Sequence, residues 1–179
     1  DYHSGRADLE NGLVRFIGDA EARIAEDHLR ILRYFRFYAR FGKTEPDADA
    51  LFACSKFANS LMALSRERIA DELIKLLSLP HPEGSVALMC AAGIFKAFLP
   101  EIIPSASADL TRLVERENIV NAGVNAGRRL NAILPHDIYT IETVAARLKL
   151  SNRMCTELAA RLADCNPAPA SAKALAYRF

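Results

Sequence analysis

The spacing of apolar positions changes near residue 20. Before it, Leu13-Val14-Arg15-Phe16-Ile17 is a short strand-like run bracketed by Asn11-Gly12 and Gly18-Asp19. Asn-Gly is a tight-turn signal, so residues 8–17 are expected to form a β-hairpin. One hairpin is marginal on its own in water, so it reads as the remnant of a sheet that belongs before Asp1. From Ala20 the period is helical. Ile24, His28, Ile31, Phe35, Tyr38 and Ala39 fall within about 100° of one another on a helical wheel, with Arg30, Arg33, Arg36, Arg40 and Lys43 opposite. The pattern predicts a helix from Ala20 that stops at Gly42.

Helical spacing continues through the rest of the chain. A second helix is expected over Ala48 to Leu64, after Pro46-Asp47. A third begins at the N-cap Ser65 and carries the apolar stripe Ile69, Leu73, Leu76, Leu77. Pro80-His81-Pro82 breaks the chain. Further helices are expected over Glu83 to Ala92, Ile94 to Leu99, Ser107 to Asn118, Ala126 to Leu134, Ile138 to Leu148 and Asn152 to Asp164. Asn166 to Ala172 reads as a loop, and Tyr177-Arg178-Phe179 as the start of a further element. The predicted class is all-α, with the hairpin as its one exception.

Composition narrows the function. The chain has 179 residues, 51% hydrophobic, with a net charge of +1. It has enough apolar content for a core, and its near-neutral total excludes a generally basic nucleic-acid binder. Yet the stretch Arg23–Lys43 holds six basic residues against two acidic ones, a local charge of +4. Cys54, Cys90, Cys155 and Cys165 are scattered, as are His3, His28, His81 and His136, without zinc spacing; reduced thiols and no protein-built metal site are expected. No apolar run approaches the roughly 18 residues of a membrane span, so no membrane partner is expected. There is no signal peptide at Asp1-Tyr2-His3, and a cytoplasmic setting follows. The absence of a starting methionine suggests a piece of a longer protein.

The candidate chemistry lies in Glu26-Asp27-His28-Leu29-Arg30. On one continuous helix, Asp27 and Arg30 are i,i+3 neighbours. A carboxylate beside a guanidinium offers an acceptor and a forked donor, the pairing needed at the Watson–Crick edge of cytosine or adenine. Uracil and guanine present a different edge. The plainer reading is a surface ion pair of about 0.3–0.5 kcal/mol on a solvated arginine face.

Three blocks, in order and spacing, resemble the class II nucleotidyltransferases, the family of bacterial tRNA nucleotidyltransferases (CCA-adding enzymes) and poly(A) polymerases. They are Gly5-Arg6-Ala7-Asp8-Leu9-Glu10-Asn11-Gly12-Leu13-Val14-Arg15, then Arg23 through Phe37, then Ser65-Arg66-Glu67-Arg68-Ile69-Ala70-Asp71-Glu72 through Leu77. The resemblance implies head remnant and hinge over 1–20, a nucleotide-selecting neck over 21–80, an RNA-docking body over 81–165 and the start of a tail over 166–179. It makes Asp8, Gly12 and Arg15 the hinge. It assigns nucleotide binding to Glu26, Asp27, Arg30 and Arg33, with Asp27 and Arg30 reading CTP or ATP and Glu26 orienting Arg30. Glu67, Arg68 and Glu72 would stabilise the neck. The partner is the tRNA or RNA 3′ end, and the clustered Arg128, Arg129, Arg147, Lys149 and Arg153 are candidate phosphate contacts.

In the family, Mg2+ is held by a head-domain Asp-x-Asp that has no match here. Asp47-Ala48-Asp49 has the spacing but follows Pro46 at a helix start, where acids cap. No catalytic residue is assigned, and the chain alone is expected to be catalytically inert. CCA addition is the leading function. A poly(A) polymerase, which shares the Glu-Asp-x-x-Arg motif, and a non-catalytic RNA-binding or scaffold module remain as alternatives.

Overall fold

The computed structural model describes residues 4–165, with side chains as far as residue 160. Every regular element among them is helical. In order they are α1 (Gly5–Asn11), α2 (Ala20–Glu26), α3 (Arg30–Phe41), α4 (Ala48–Lys56), a 3₁₀ segment (Ala58–Ala63), α5 (Arg66–Leu77), α6 (Glu83–Ala91), α7 (Ile94–Phe98), α8 (Ala106–Ile119), α9 (Ala126–Ile133), α10 (Ile138–Arg147) and α11 (Asn152–Cys165). The expected tail and its Tyr177-Arg178-Phe179 lie outside the described residues, as does His3.

The caps explain most boundaries. Asp19, Asp47, Ser65, Asn125 and Asp137 each accept the backbone N–H three residues on, satisfying a donor that the first turn leaves free. Gly42 ends α3 by donating its N–H to Tyr38 O, at an ordinary negative φ. One apolar cluster runs from Ile24 to Leu158 and passes the Pro80-His81-Pro82 break without interruption. Within it α3 packs on α5 and α6, α2 on α4, α8 on α6 and α9, and α9 on α5 and α11.

Three expectations are corrected. Residues 8–17 do not form a hairpin. Asn11-Gly12 is instead the C-terminus of α1, with Gly12 left-handed at φ 68°. Leu13 N–H returns to Asp8 O, and Gly12 O accepts Lys43 N–H at 3.0 Å. A left-handed glycine serves a helix end as well as a turn, and among the described residues there is no strand for 13–17 to pair with. They run as an irregular strap over α3, where Phe16 stacks on Tyr34 with centroids 5.6 Å apart.

The helix from Ala20 is not continuous. It breaks at Asp27, whose backbone is extended. Its side chain accepts Leu29 N–H at 3.1 Å while its carbonyl accepts Arg30 N–H at 3.0 Å. This Asx turn competes with the helical ladder and restarts it as α3. Finally, the helix expected over Ala48 to Leu64 ends at Lys56 and tightens to 3₁₀ from Ala58.

Candidate functional site

The break at Asp27 reorganises the candidate residues. Asp27 and Arg30 do not pair with one another. Arg30 Nη1 contacts Glu26 Oε2 at 2.7 Å and donates to Arg23 O at 2.9 Å, and Arg23 Nη1 holds the same Glu26 at 2.7 Å. Glu26 thus contacts both Arg23 and Arg30. Asp27 turns to α5, where Arg68 Nη2 sits 3.0 Å from Oδ2 and 3.3 Å from Oδ1. Spacing gave no sign of this contact, because the partners lie 41 residues apart.

Both carboxyls are held below their ordinary range. For Asp27, partial burial pushes the carboxyl up, but the Leu29 N–H and the Arg68 charge outweigh it, with help from Arg33. For Glu26, desolvation is likewise outweighed by hydrogen bonds from Arg23 and Arg30. Each stays an ionised acceptor at neutral pH.

A cleft of about 270 Å3 opens beside this junction, between the strap and α3. Its walls are Val14, Arg15, Phe16 and Ile17 from the strap, Arg23 from α2, and Arg30, Arg33, Tyr34 and Phe37 from α3. It is near the lower end of small-molecule sites, about 300 Å3, and combines apolar and aromatic surface with arginines. Phe37 and Phe41 stack at 6.2 Å on the exposed side of α3, with Arg36 and Arg40 over their rings. The Phe16 and Tyr34 walls had no periodic signal, since the strap's approach is tertiary.

The hinge candidates do come together. Arg15 Nε donates to Asp8 Oδ2 at 2.8 Å across the α1 terminus that Gly12 closes. A Cβ at Gly12 would lie 2.5 Å from Lys43 Cβ and 2.8 Å from Lys43 N, so position 12 requires glycine for space as well as for φ. The third sequence block is a brace. Glu72, 4% exposed, accepts from Arg36 Nε at 2.7 Å and has Arg33 Nε at 3.5 Å. This ties α5 to α3. Glu67 meets Lys149 at 2.6 Å.

Of the candidate phosphate contacts, Arg129 is corrected outright. It is 1% exposed, pairs with buried Glu117 at 2.7 Å and donates to the carbonyls of Leu77, Leu79 and Pro80. A guanidinium enclosed in this way pins α5 to α9 and reaches no phosphate. Arg128 shares Glu117 and donates to Gly123 O at 2.6 Å. Arg147 is held by Glu101 at 2.8 Å, and Lys149 by Glu67. Arg153 is exposed on α11. The five do not form one basic patch. Cys54, Cys90 and Cys155 are free thiols, and burial pushes Cys54 up to about 12; the Cys165 side chain lies outside the described residues.

No helix among the described residues is long and apolar enough to cross a membrane. Residues 45–105 match a family model described as the probable RNA- and SrmB-binding site of polymerase A. The mouse (Mus musculus) mitochondrial CCA tRNA nucleotidyltransferase 1 is 36% identical over 159 residues, 88% of this chain and 35% of that protein. The multifunctional CCA protein of Burkholderia mallei is 38% identical over 104 residues, 57% of this chain and 24% of that protein. A CCA-adding enzyme of Thermotoga maritima, solved with tRNA, shares the fold with a TM-score of 0.67 at 23% identity, over 88% of this chain and 40% of that one. The chain therefore spans between 24% and 40% of the length of these relatives. Over the stretch it covers, the chain belongs to the family of CCA-adding enzymes and poly(A) polymerases.

Proposed function

We propose that this chain is the nucleotide-selecting and RNA-docking part of a template-independent nucleotidyltransferase that adds CMP and AMP to the 3′ end of tRNA. The observation that carries the reading is the Glu26-Asp27-x-x-Arg30 junction, set beside an arginine-lined cleft of about 270 Å3 in a chain whose relatives are CCA tRNA nucleotidyltransferases. Residues 21–80 take the selecting role and residues 81–165 the docking role. Asp8, Gly12 and Arg15 form the hinge.

The chemistry follows from hydrogen-bond complementarity. Ionised Asp27 is an acceptor only and suits the exocyclic amino group shared by cytosine and adenine. Arg30 spends Nη1 on Glu26 and on Arg23 O. Its other N–H groups suit cytosine O2 and N3 or adenine N1. Arg33 lines the same cleft one turn further on. Uracil and guanine meet the acceptor with a carbonyl, and an acceptor facing an acceptor is costly when desolvated. RNA docks by phosphate contact, with exposed Arg153 and the rims of Arg128, Arg147 and Lys149 as candidates.

The metal that the resemblance implies is Mg2+. Among the described residues no group of three or more His, Cys, Asp or Glu side chains is placed to hold a metal ion, and Asp47 gives its carboxylate to Ala50 N–H. The carboxylates described in this chain do not fit a magnesium site.

The test is Asp27→Ala in the full-length protein, with CTP, UTP, ATP and GTP offered on a tRNA lacking its CCA end. Preference for the amino-bearing bases is expected to fall about 10- to 100-fold while tRNA affinity changes less than about threefold. Unchanged preference would instead favour a scaffold module. The isolated chain with CTP, magnesium and the same tRNA is expected to give no incorporation. A second reading, a poly(A) polymerase, is favoured by the family-model match over residues 45–105; exclusive use of ATP by the full-length protein would select it.

A further inference from the structure

We infer that Arg68 is a positioning residue for base discrimination, and that its guanidinium fixes the Asp27 carboxylate at the α2–α3 junction, next to Arg30 of the cleft wall, so that it can meet the base. The inference rests on the reading above, in which Asp27 accepts from the exocyclic amino group. It gives α5 a part in nucleotide choice that bracing alone does not.

Asp27 stands where α2 has ended and α3 has not begun, so no helical ladder fixes it. Arg30 is turned away to Glu26 and Arg23 O. Two groups hold the carboxylate. Leu29 N–H binds Oδ1 at 3.1 Å from within the junction, and Arg68 Nη2 spans both oxygens from outside it, at 3.3 and 3.0 Å. Two oxygens with about four lone-pair positions keep room for a further donor after these bonds.

The Arg68 end is the rigid one. Its backbone N–H donates to the Ser65 cap at 3.4 Å, and Ile69, Leu73 and Leu76 of the same helix are buried. Glu72, one turn along, is bound by Arg36 and Arg33 of α3. The guanidinium therefore projects from a helix locked to α3 onto a carboxylate carried by a loop, an arrangement that suits preorganisation of a recognition group. Without Arg68, the carboxylate keeps only the local Leu29 bond and turns about its side-chain torsions toward the arginines nearby. Base choice blurs, while the cleft itself stays.

The pair is partly exposed, with 48% of the Arg68 side chain and 26% of the Asp27 side chain accessible. Such a pair adds little to folding stability. A positioning role and a bracing role thus part company experimentally. In the full-length protein, Arg68→Ala is expected to lower the preference for CTP over UTP and for ATP over GTP about tenfold, the scale of one well-aimed base contact. The melting temperature should move by less than about 2 °C. Arg68→Lys should recover most of the preference, and Arg68→Ala should add nothing in an Asp27→Ala background.

The inference is overturned if Arg68→Ala slows all four nucleotides equally, or if its effect adds to that of Asp27→Ala. An Asp27→Ala effect on choice with no Arg68→Ala effect removes this inference alone. No effect of Asp27→Ala removes the selection reading beneath it as well.

Discussion

Glu26 and Glu117 each hold two arginines. Around Glu26, the Arg23 and Arg30 side chains are 43% and 27% exposed and the carboxylate 49%. Around Glu117, the Arg129 and Arg128 side chains are 2% and 31% exposed, and the Glu117 side chain 4%. The groups are chemically the same, and burial separates their roles. A guanidinium sealed against Leu77, Leu79 and Pro80 carbonyls has no donors left for a ligand and serves only the packing of α5 on α9. One that lines an open cleft keeps donors and pays little to exchange water for a base. A cluster of arginines in sequence is therefore weak evidence of a docking surface until the exposure of each is known.

The largest expected effect is at the buried cluster. Arg129→Met leaves buried Glu117 with Arg128 as its remaining guanidinium partner and takes a donor from three carbonyls, and should cost about 3 kcal/mol in chemical denaturation. A loss below about 1 kcal/mol would mean that the two clusters do not differ as described. Next comes the brace, which lies between the two extremes. Glu72→Gln keeps the shape of the buried group but weakens its bond to Arg36, and should cost about 2 kcal/mol by the same measurement, with α3 gaining hydrogen exchange.

At the exposed cluster, Glu26→Gln should change the melting temperature little. It removes two partly exposed ion pairs that salt already screens. It should still weaken nucleotide selection in the full-length protein, because Arg30 loses its orienting partner. A selectivity unchanged within twofold would separate Glu26 from the site.

The smallest effect is on pH dependence. The Asp27 carboxyl sits below its ordinary value in the folded protein. Its contribution to stability is present above the unfolded value of about 4 and is lost as pH falls through the folded one. Asp27→Asn should therefore flatten the acid limb of the stability curve below about pH 4, by well under 1 kcal/mol after solvent screening. A steeper limb in the variant would contradict the sign.

From α4 onward the helix positions were readable, apart from the overrun of α4 to Leu64, because apolar period and capping side chains agreed. Ser65 before α5, Asp47 before α4 and Asp137 before α10 each cap the helix that follows them. The misreadings arose where one local signal serves two structures. Asn11-Gly12 fits a hairpin turn and a left-handed helix terminus equally, and only the approach of Lys43 selects the second. The apolar period across Ala20 to Phe41 survives a break at Asp27, because α2 and α3 both face the same core with Ile24, Ile31 and Phe35. The motif residues themselves were readable, but spacing paired Arg30 with Asp27, whereas the fold sets it on Glu26.

The amino-acid sequence by itself determined a predominantly helical class, a strongly basic stretch over residues 23–43, and the Glu26-Asp27-x-x-Arg30 string with Gly12 ahead of it. These depend on contacts within about one or two helical turns, where spacing dictates geometry. Tertiary structure alone decided which charges are sealed and which are open. It buried Arg129, turned Asp27 away from Arg30 and onto Arg68, and laid the strap across α3 to make the cleft. Each of those outcomes depends on groups brought together from distant parts of the chain, and on the exclusion of water between them, which no local spacing encodes.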